Sequence, residues 1–179
     1  MNHSILPLNL KRLLIPGLAL LSAVCTMSGA QTNSIAALAP FELRDQYNCP
    51  HRISFPAAGV TLMTVADRKG SEQIDGWVGP LKEHYGGRIA IEGIADLSAV
   101  PCLLRSMVRE QFKKRRAYPV MLDWEGPVVR RFNYRKDEAN LFVVDREGYI
   151  AGRVAGAATD GGLKTLFAAI DGALSKPSR

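Results

Sequence analysis

The sequence predicts an α/β fold: a mixed central sheet with helices on both faces and an N-terminal β-hairpin. Three observations carry this expectation. Val60–Ala66 and Arg88–Ala95 are apolar, β-branched runs, each followed by apolar residues at helical spacing. That alternation marks parallel strands joined by helical crossovers. Leu141–Val144 and Tyr149–Val154 flank the tight turn Asp145-Arg146-Glu147-Gly148, which marks an antiparallel pair. Phe41–Asp45 and His51–Phe55 alternate apolar and polar residues around Asn48 and Pro50, which reads as a hairpin.

In chain order, residues 1–30 read as an export signal. Lys11 and Arg12 supply the positive region, and Leu13–Val24 is an apolar stretch too short to span a bilayer comfortably. Ser28 and Ala30 place small residues at positions −3 and −1 of a cleavage site before Gln31. The expected location is therefore periplasmic or secreted. Lipidation at Cys25 is disfavoured, because Val24 stands where a small residue is usual. Residues 31–40 are expected to be a flexible lead-in, 41–174 the folded domain and 175–179 a tail.

After the hairpin, Pro56–Gly59 breaks the chain, and Val60–Ala66 is expected to be a strand buried on both faces. Ser71 is placed to cap a helix, with Glu72 at the favourable end of its dipole. Ile74, Trp77, Val78, Leu81 and Tyr85 share one helical face, Pro80 should kink it, and Gly86-Gly87 end it. Pro101 suits the first turn of the next helix, where Leu103, Leu104, Met107, Val108 and Phe112 form an apolar stripe. Val120–Leu122 is a short strand, and Val128–Tyr134 is either helical or extended. Thr159 caps a last helix with Leu163, Leu166, Phe167, Ile170 and Leu174 at helical spacing.

The chain's 179 residues, 47% apolar and 22% charged, suit one domain with a real core. Removal of residues 1–30 leaves 21 basic and 17 acidic residues, a mild excess that does not call for a nucleic-acid partner.

The element order, together with Tyr118-Pro119-Val120-Met121-Leu122-Asp123 and Leu141-Phe142-Val143-Val144-Asp145-Arg146-Glu147-Gly148-Tyr149-Ile150, resembles the thioredoxin-like redoxins, including peroxiredoxins of the alkyl hydroperoxide reductase and thiol-specific antioxidant type. The resemblance covers roughly Phe41–Leu174 and implies a thioredoxin-like fold. In such proteins the catalytic Cys follows the strand matching Val60–Ala66, and a cis-Pro often precedes the strand matching Leu141–Val144. Here those places hold Asp67-Arg68-Lys69-Gly70-Ser71 and Ala139-Asn140. The resemblance therefore implies the fold and not the usual thiol chemistry.

The remaining candidates come from the residues themselves. Cys102, beside Pro101 at a helix start with Arg105 and Arg109 downstream, is the best placed thiol. Cys49 lies in the hairpin turn and is expected to be exposed. The two are the only cysteines after residue 30 and allow one disulfide. Asp67, Asp96 and Asp123 each end a parallel strand on one sheet edge, where three carboxylates either bind a cation or close turns. Turn closure is the stronger reading, and no His/Cys set has zinc spacing, so no metal centre and no cofactor are expected. Asp67, Arg68, Lys69 and Ser71 offer a polar surface for a protein or small anionic partner. Lys113-Lys114-Arg115-Arg116 reads as a solvated helix end that complements the dipole, with Glu110 paired to Lys114. Binding to acidic lipid headgroups or polyanions is the sharper alternative. Trp77 and Trp124 read as packing residues. Two functions stand: a binding or accessory module, or a thiol oxidoreductase using Cys102 with or without Cys49.

Overall fold

A computed structural model describes residues 37–177. The cleavage point between Ala30 and Gln31, Cys25 and the first part of the lead-in lie outside the described residues. The strands are β1 (Phe41–Arg44), β2 (Pro50–Ile53), β3 (Thr61–Ala66), β4 (Ala90–Asp96), β5 (Met121–Asp123), β6 (Asn140–Val144) and β7 (Ile150–Ala155). The helices are α1 (Ile74–Tyr85), α2 (Arg105–Arg115) and α3 (Asp160–Leu174).

β1 and β2 form the expected hairpin, and the other strands form one five-stranded sheet in the order β5-β4-β3-β6-β7. The pairs β3·β4 and β4·β5 are parallel; β3·β6 and β6·β7 are antiparallel. All six residues of the central strand β3 are buried, as a strand covered on both faces requires.

The register divides the core. Partners across a parallel ladder share a face, so Ala66, Ala95 and Leu122 point one way while Val65, Ile94 and Met121 point the other. On the first face α1 and α3 cover Leu62, Leu141 and Val143, with Trp77, Leu166 and Ile170 buried between the layers. α2 lies on the same face, packing Val108 and Phe112 over Ala95 and Leu122. That follows from handedness: β3 to β4 to β5 steps the same way across the sheet, so right-handed crossovers put α1 and α2 on one side. The second face carries the hairpin and a 3-10 turn at Val129–Phe132, with Phe41 and Phe132 over Met63, Val65 and Phe142. Each fully buried Leu, Ile or Phe contributes about 1.5–3 kcal/mol.

Several expectations hold in detail. Thr159 caps α3, its hydroxyl accepting the Gly162 N–H at 3.1 Å. Gly86 ends α1 at φ 54°. Trp77 is buried, and its Nε1–H donates to the Gly156 carbonyl at 2.9 Å. Trp124 is half-buried beneath Arg105 and Arg109.

Other expectations are corrected. Ser71 does not cap α1. It lies inside a 3-10 turn, Gly70–Gln73, and its hydroxyl donates to the Arg68 carbonyl at 2.7 Å. The capping acceptor is Asp67, whose carboxylate takes the Gly70 N–H at 2.9 Å. The acid is the better acceptor, and it stands three residues before the N–H it satisfies. The apolar stripe of α2 is half wrong. Val108 and Phe112 pack inward, but Leu103 is 93% exposed, Met107 55% and Leu104 43%. The reason is that β5 is only three residues long and leaves little apolar surface beneath this helix. Glu110 pairs with Lys113 at 2.7 Å rather than with Lys114. Before β1, Leu38 is already buried, and its N–H donates to the Gly148 carbonyl at 2.9 Å. After α3, Lys176 reaches the buried Asp145 carboxylate at 2.9 Å.

Candidate functional site

β3 ends at Ala66, and the chain turns through Asp67, Arg68, Lys69 and Gly70 before α1 begins. Asp67 holds this turn from both sides. One carboxylate oxygen accepts the Gly70 N–H, and the other accepts the Asp137 N–H at 2.7 Å. Gln73 completes the seam: its amide N–H donates to the Asp137 carbonyl, and its Oε1 accepts the Ala139 N–H, both at 3.2 Å. Gly70 is buried against the same segment, and a Cβ there would collide with the Glu138 carbonyl oxygen. Lys69 pairs with Asp137 at 3.3 Å, and the Ser71 carbonyl accepts from Arg116 at 3.0 Å.

The facing segment, residues 135–139, is fixed by Asn140. This buried side chain donates to the Arg135 and Glu138 carbonyls and accepts the Arg135 N–H, each at 2.8 Å. Asp137 sits at φ 63°, a left-handed conformation that Asp tolerates better than most residues. The strand-end place is therefore closed by carboxylate and amide hydrogen bonds to the backbone. It leaves Arg68 and Lys69 exposed at its rim and Asp67 and Ser71 partly accessible. A cavity of about 40 Å³ lies beside Ser71, walled by Arg116, Tyr118, Thr64 and Phe112.

The three strand-end aspartates do share one edge, with Asp96 and Asp123 in register. Each is committed elsewhere. Asp123 is buried and accepts the Gly126, Val128 and Val129 N–H groups, each at 2.9 Å. Asp96 accepts the Ser98 N–H at 2.9 Å and a very close hydrogen bond from the Tyr134 hydroxyl. Burial pushes the Asp96 carboxyl up, but the bonds from Tyr134 and Ser98 outweigh it and hold it below its usual value. Burial, then Asp96 itself, pushes the Tyr134 hydroxyl far up, so Tyr134 stays a neutral donor. These carboxylates close turns rather than present ligands. Among the described residues no three His, Cys, Asp or Glu side chains gather as a metal site.

Cys102 opens a short 3-10 turn ahead of α2, and Cys49 lies between β1 and β2. Both are exposed and free, and neither lies in the strand-end turn. Arg105 and Arg109 lie over the Trp124 ring, 5.5 and 5.8 Å from its centre, and Arg105 pairs with Glu125 at 2.7 Å. Arg116 is a strut rather than part of a free patch, since it also pairs with Asp75 at 3.2 Å.

Some residues escaped sequence reasoning. Gln73, Asp137 and Asn140 act across large separations, and no local pattern marks them. Asp45 and His51 form a second polar centre, 3.0 Å apart, with Asp45 buried and accepting the Tyr47 and Cys49 N–H groups. The alternation around Asn48 and Pro50 signals this hairpin but not that pair.

No family model matches the chain, and no curated protein matches it. Solved structures do. A thiol:disulfide interchange protein of the thioredoxin family from Chlorobium tepidum TLS superposes with a TM-score of 0.55 at 17% identity, over 78% of this chain and 97% of its own. The exposed lipoprotein thioredoxin Etrx1 of Streptococcus pneumoniae strain TIGR4 gives 0.60 at 12% identity, over 75% and 99%. Peroxidoxin BcpB of Mycobacterium tuberculosis gives 0.52 at 18% identity, over 74% and 95%. At these identities the likeness is one of fold, and that fold is thioredoxin-like.

Proposed function

We propose that this thioredoxin-fold chain is an exported binding or accessory module that does not work through a strand-end thiol. The observation that carries the reading is the replacement of the usual sulfur site by the Asp67 staple to Gly70 and Asp137. A staple of this kind offers no thiolate to attack a disulfide. It does rigidify a rim from which Arg68 and Lys69 project, and a fixed rim lowers the ordering cost of recognition. The partner is a protein or a small anionic molecule, and no metal or cofactor is invoked. Export rests on the signal-like residues 1–30, and the exposed lipoprotein among the fold neighbours is in keeping with it.

A second reading is favoured by one observation: Cys102 and Cys49 are both free and exposed. In it, the Cys102 thiolate attacks a substrate disulfide, forms a mixed disulfide and expels the other sulfur as a thiolate. A thiol of the reductant then attacks the Cys102 sulfur and expels the bound substrate half as a thiolate, and the reductant's other thiol displaces the Cys102 thiolate as the reductant closes to its own disulfide. Turnover of a small fluorogenic disulfide, with dithiothreitol as reductant, separates the two. The expected rate equals reagent background for the wild type, Cys102→Ser and Cys49→Ser alike. Turnover above background in the wild type that disappears in Cys102→Ser would replace the first reading with the second.

A further inference from the structure

Soluble proteins rarely leave large apolar side chains together on the surface without a use for them. Of the five large hydrophobic residues exposed among the described residues, three stand at or just ahead of the start of α2: Leu103, Leu104 and Met107. Leu103 and Met107 are one helical turn apart, and Lys114 continues the same stripe two turns further on. α2 carries Arg105, Arg109, Lys113, Lys114 and Arg115 against the single acid Glu110, and none of its residues is buried. Arg105 and Lys113 have acidic partners. Among the described residues no acid pairs with Arg109, Lys114 or Arg115.

We propose that this face of α2, with Cys102–Leu104 ahead of it, docks on an anionic phospholipid surface. The chemistry is complementary in two layers. Leu103, Leu104 and Met107 reach the acyl boundary, while the Lys114 and Arg115 heads remain at the phosphates. A second copy of the chain suits the face poorly, because it would oppose two cationic helices. The strand-end reading and this one are independent, since no residue of the Asp67 turn takes part.

The test is local. Leu13–Val24 is apolar enough to enter a bilayer by itself, so binding of the whole chain is not the readout. In the full chain carrying Cys25→Ser and Cys49→Ser, an environment-sensitive fluorophore on Cys102 reports immersion of this face alone. Vesicles of phosphatidylglycerol in phosphatidylcholine should shift the emission to the blue, and phosphatidylcholine alone should not. Lys114→Gln with Arg115→Gln should weaken the response about twenty-five-fold, at about fivefold per charge. Leu103→Ser with Met107→Ser should weaken it about tenfold or more. Silence of the probe on anionic vesicles, or an undiminished response in the serine variant, overturns the proposal. So does a change of oligomeric state in the serine variant, read by light scattering, where the intact face gives no lipid response; the face would then join protein to protein.

Discussion

Asp67 does at the end of β3 what two separate caps do elsewhere: one carboxylate satisfies the N–H of its own turn and that of a segment seventy residues away. Asp67→Ala leaves both N–H groups without their acceptor and should destabilise the fold by about 1–3 kcal/mol in urea melts. Asp67→Asn keeps one acceptor oxygen and should lose less. Tyr85 makes a second prediction. Its hydroxyl donates to the Asp171 carboxylate at 2.9 Å, and burial, then Asp171, pushes it up from 10.0 to about 12. The folded value lies above the unfolded one, so this stabilisation is complete below pH 10 and is lost as pH rises through 12. Wild-type stability should fall across that window, while Tyr85→Phe should start lower and fall less steeply. An equal alkaline slope in both proteins would show that Tyr85 is not the titrating group.

The β3–α1 turn and the 135–139 segment behave as one unit at the scale of elements, locked by Gly70 on one side and Asn140 on the other. Gly70→Ala drives a methyl into the Glu138 carbonyl and should cost about 1–3 kcal/mol, because backbone on both sides must move. Unchanged thermal stability in that variant would mean that the two segments are not held together in solution. This seam was hidden in the sequence for a physical reason. Periodicity and turn chemistry are local, whereas Asp67 to Asp137, Gln73 to Ala139 and Ser71 to Arg116 join residues that no short window contains. Ser71 before an apolar run looked like a cap, but Asp67 is the stronger acceptor and took the role. The α2 stripe misled in the opposite way: its spacing was helical, but spacing says nothing about how much sheet lies beneath a helix.

The layout of the whole molecule was legible because the signals agree across levels. Apolar runs became β3, β4 and β6, the Asp-x-x-Gly turn became the β6–β7 hairpin, and right-handed crossovers placed α1 and α2. What such a fold does was less legible, because function sits in a site grafted on it. At the strand end, where the redoxins it resembles carry their thiol, this chain has a polar, hydrogen-bonded turn. The most direct check on that claim is the intact mass of the protein recovered from its native compartment and alkylated without reductant. The expected result is that Cys49 and Cys102 each take one alkyl group, with no disulfide and no mixed adduct. A Cys49–Cys102 disulfide, or a partner held on Cys102 through sulfur, would contradict it and put the chemistry back on the thiols.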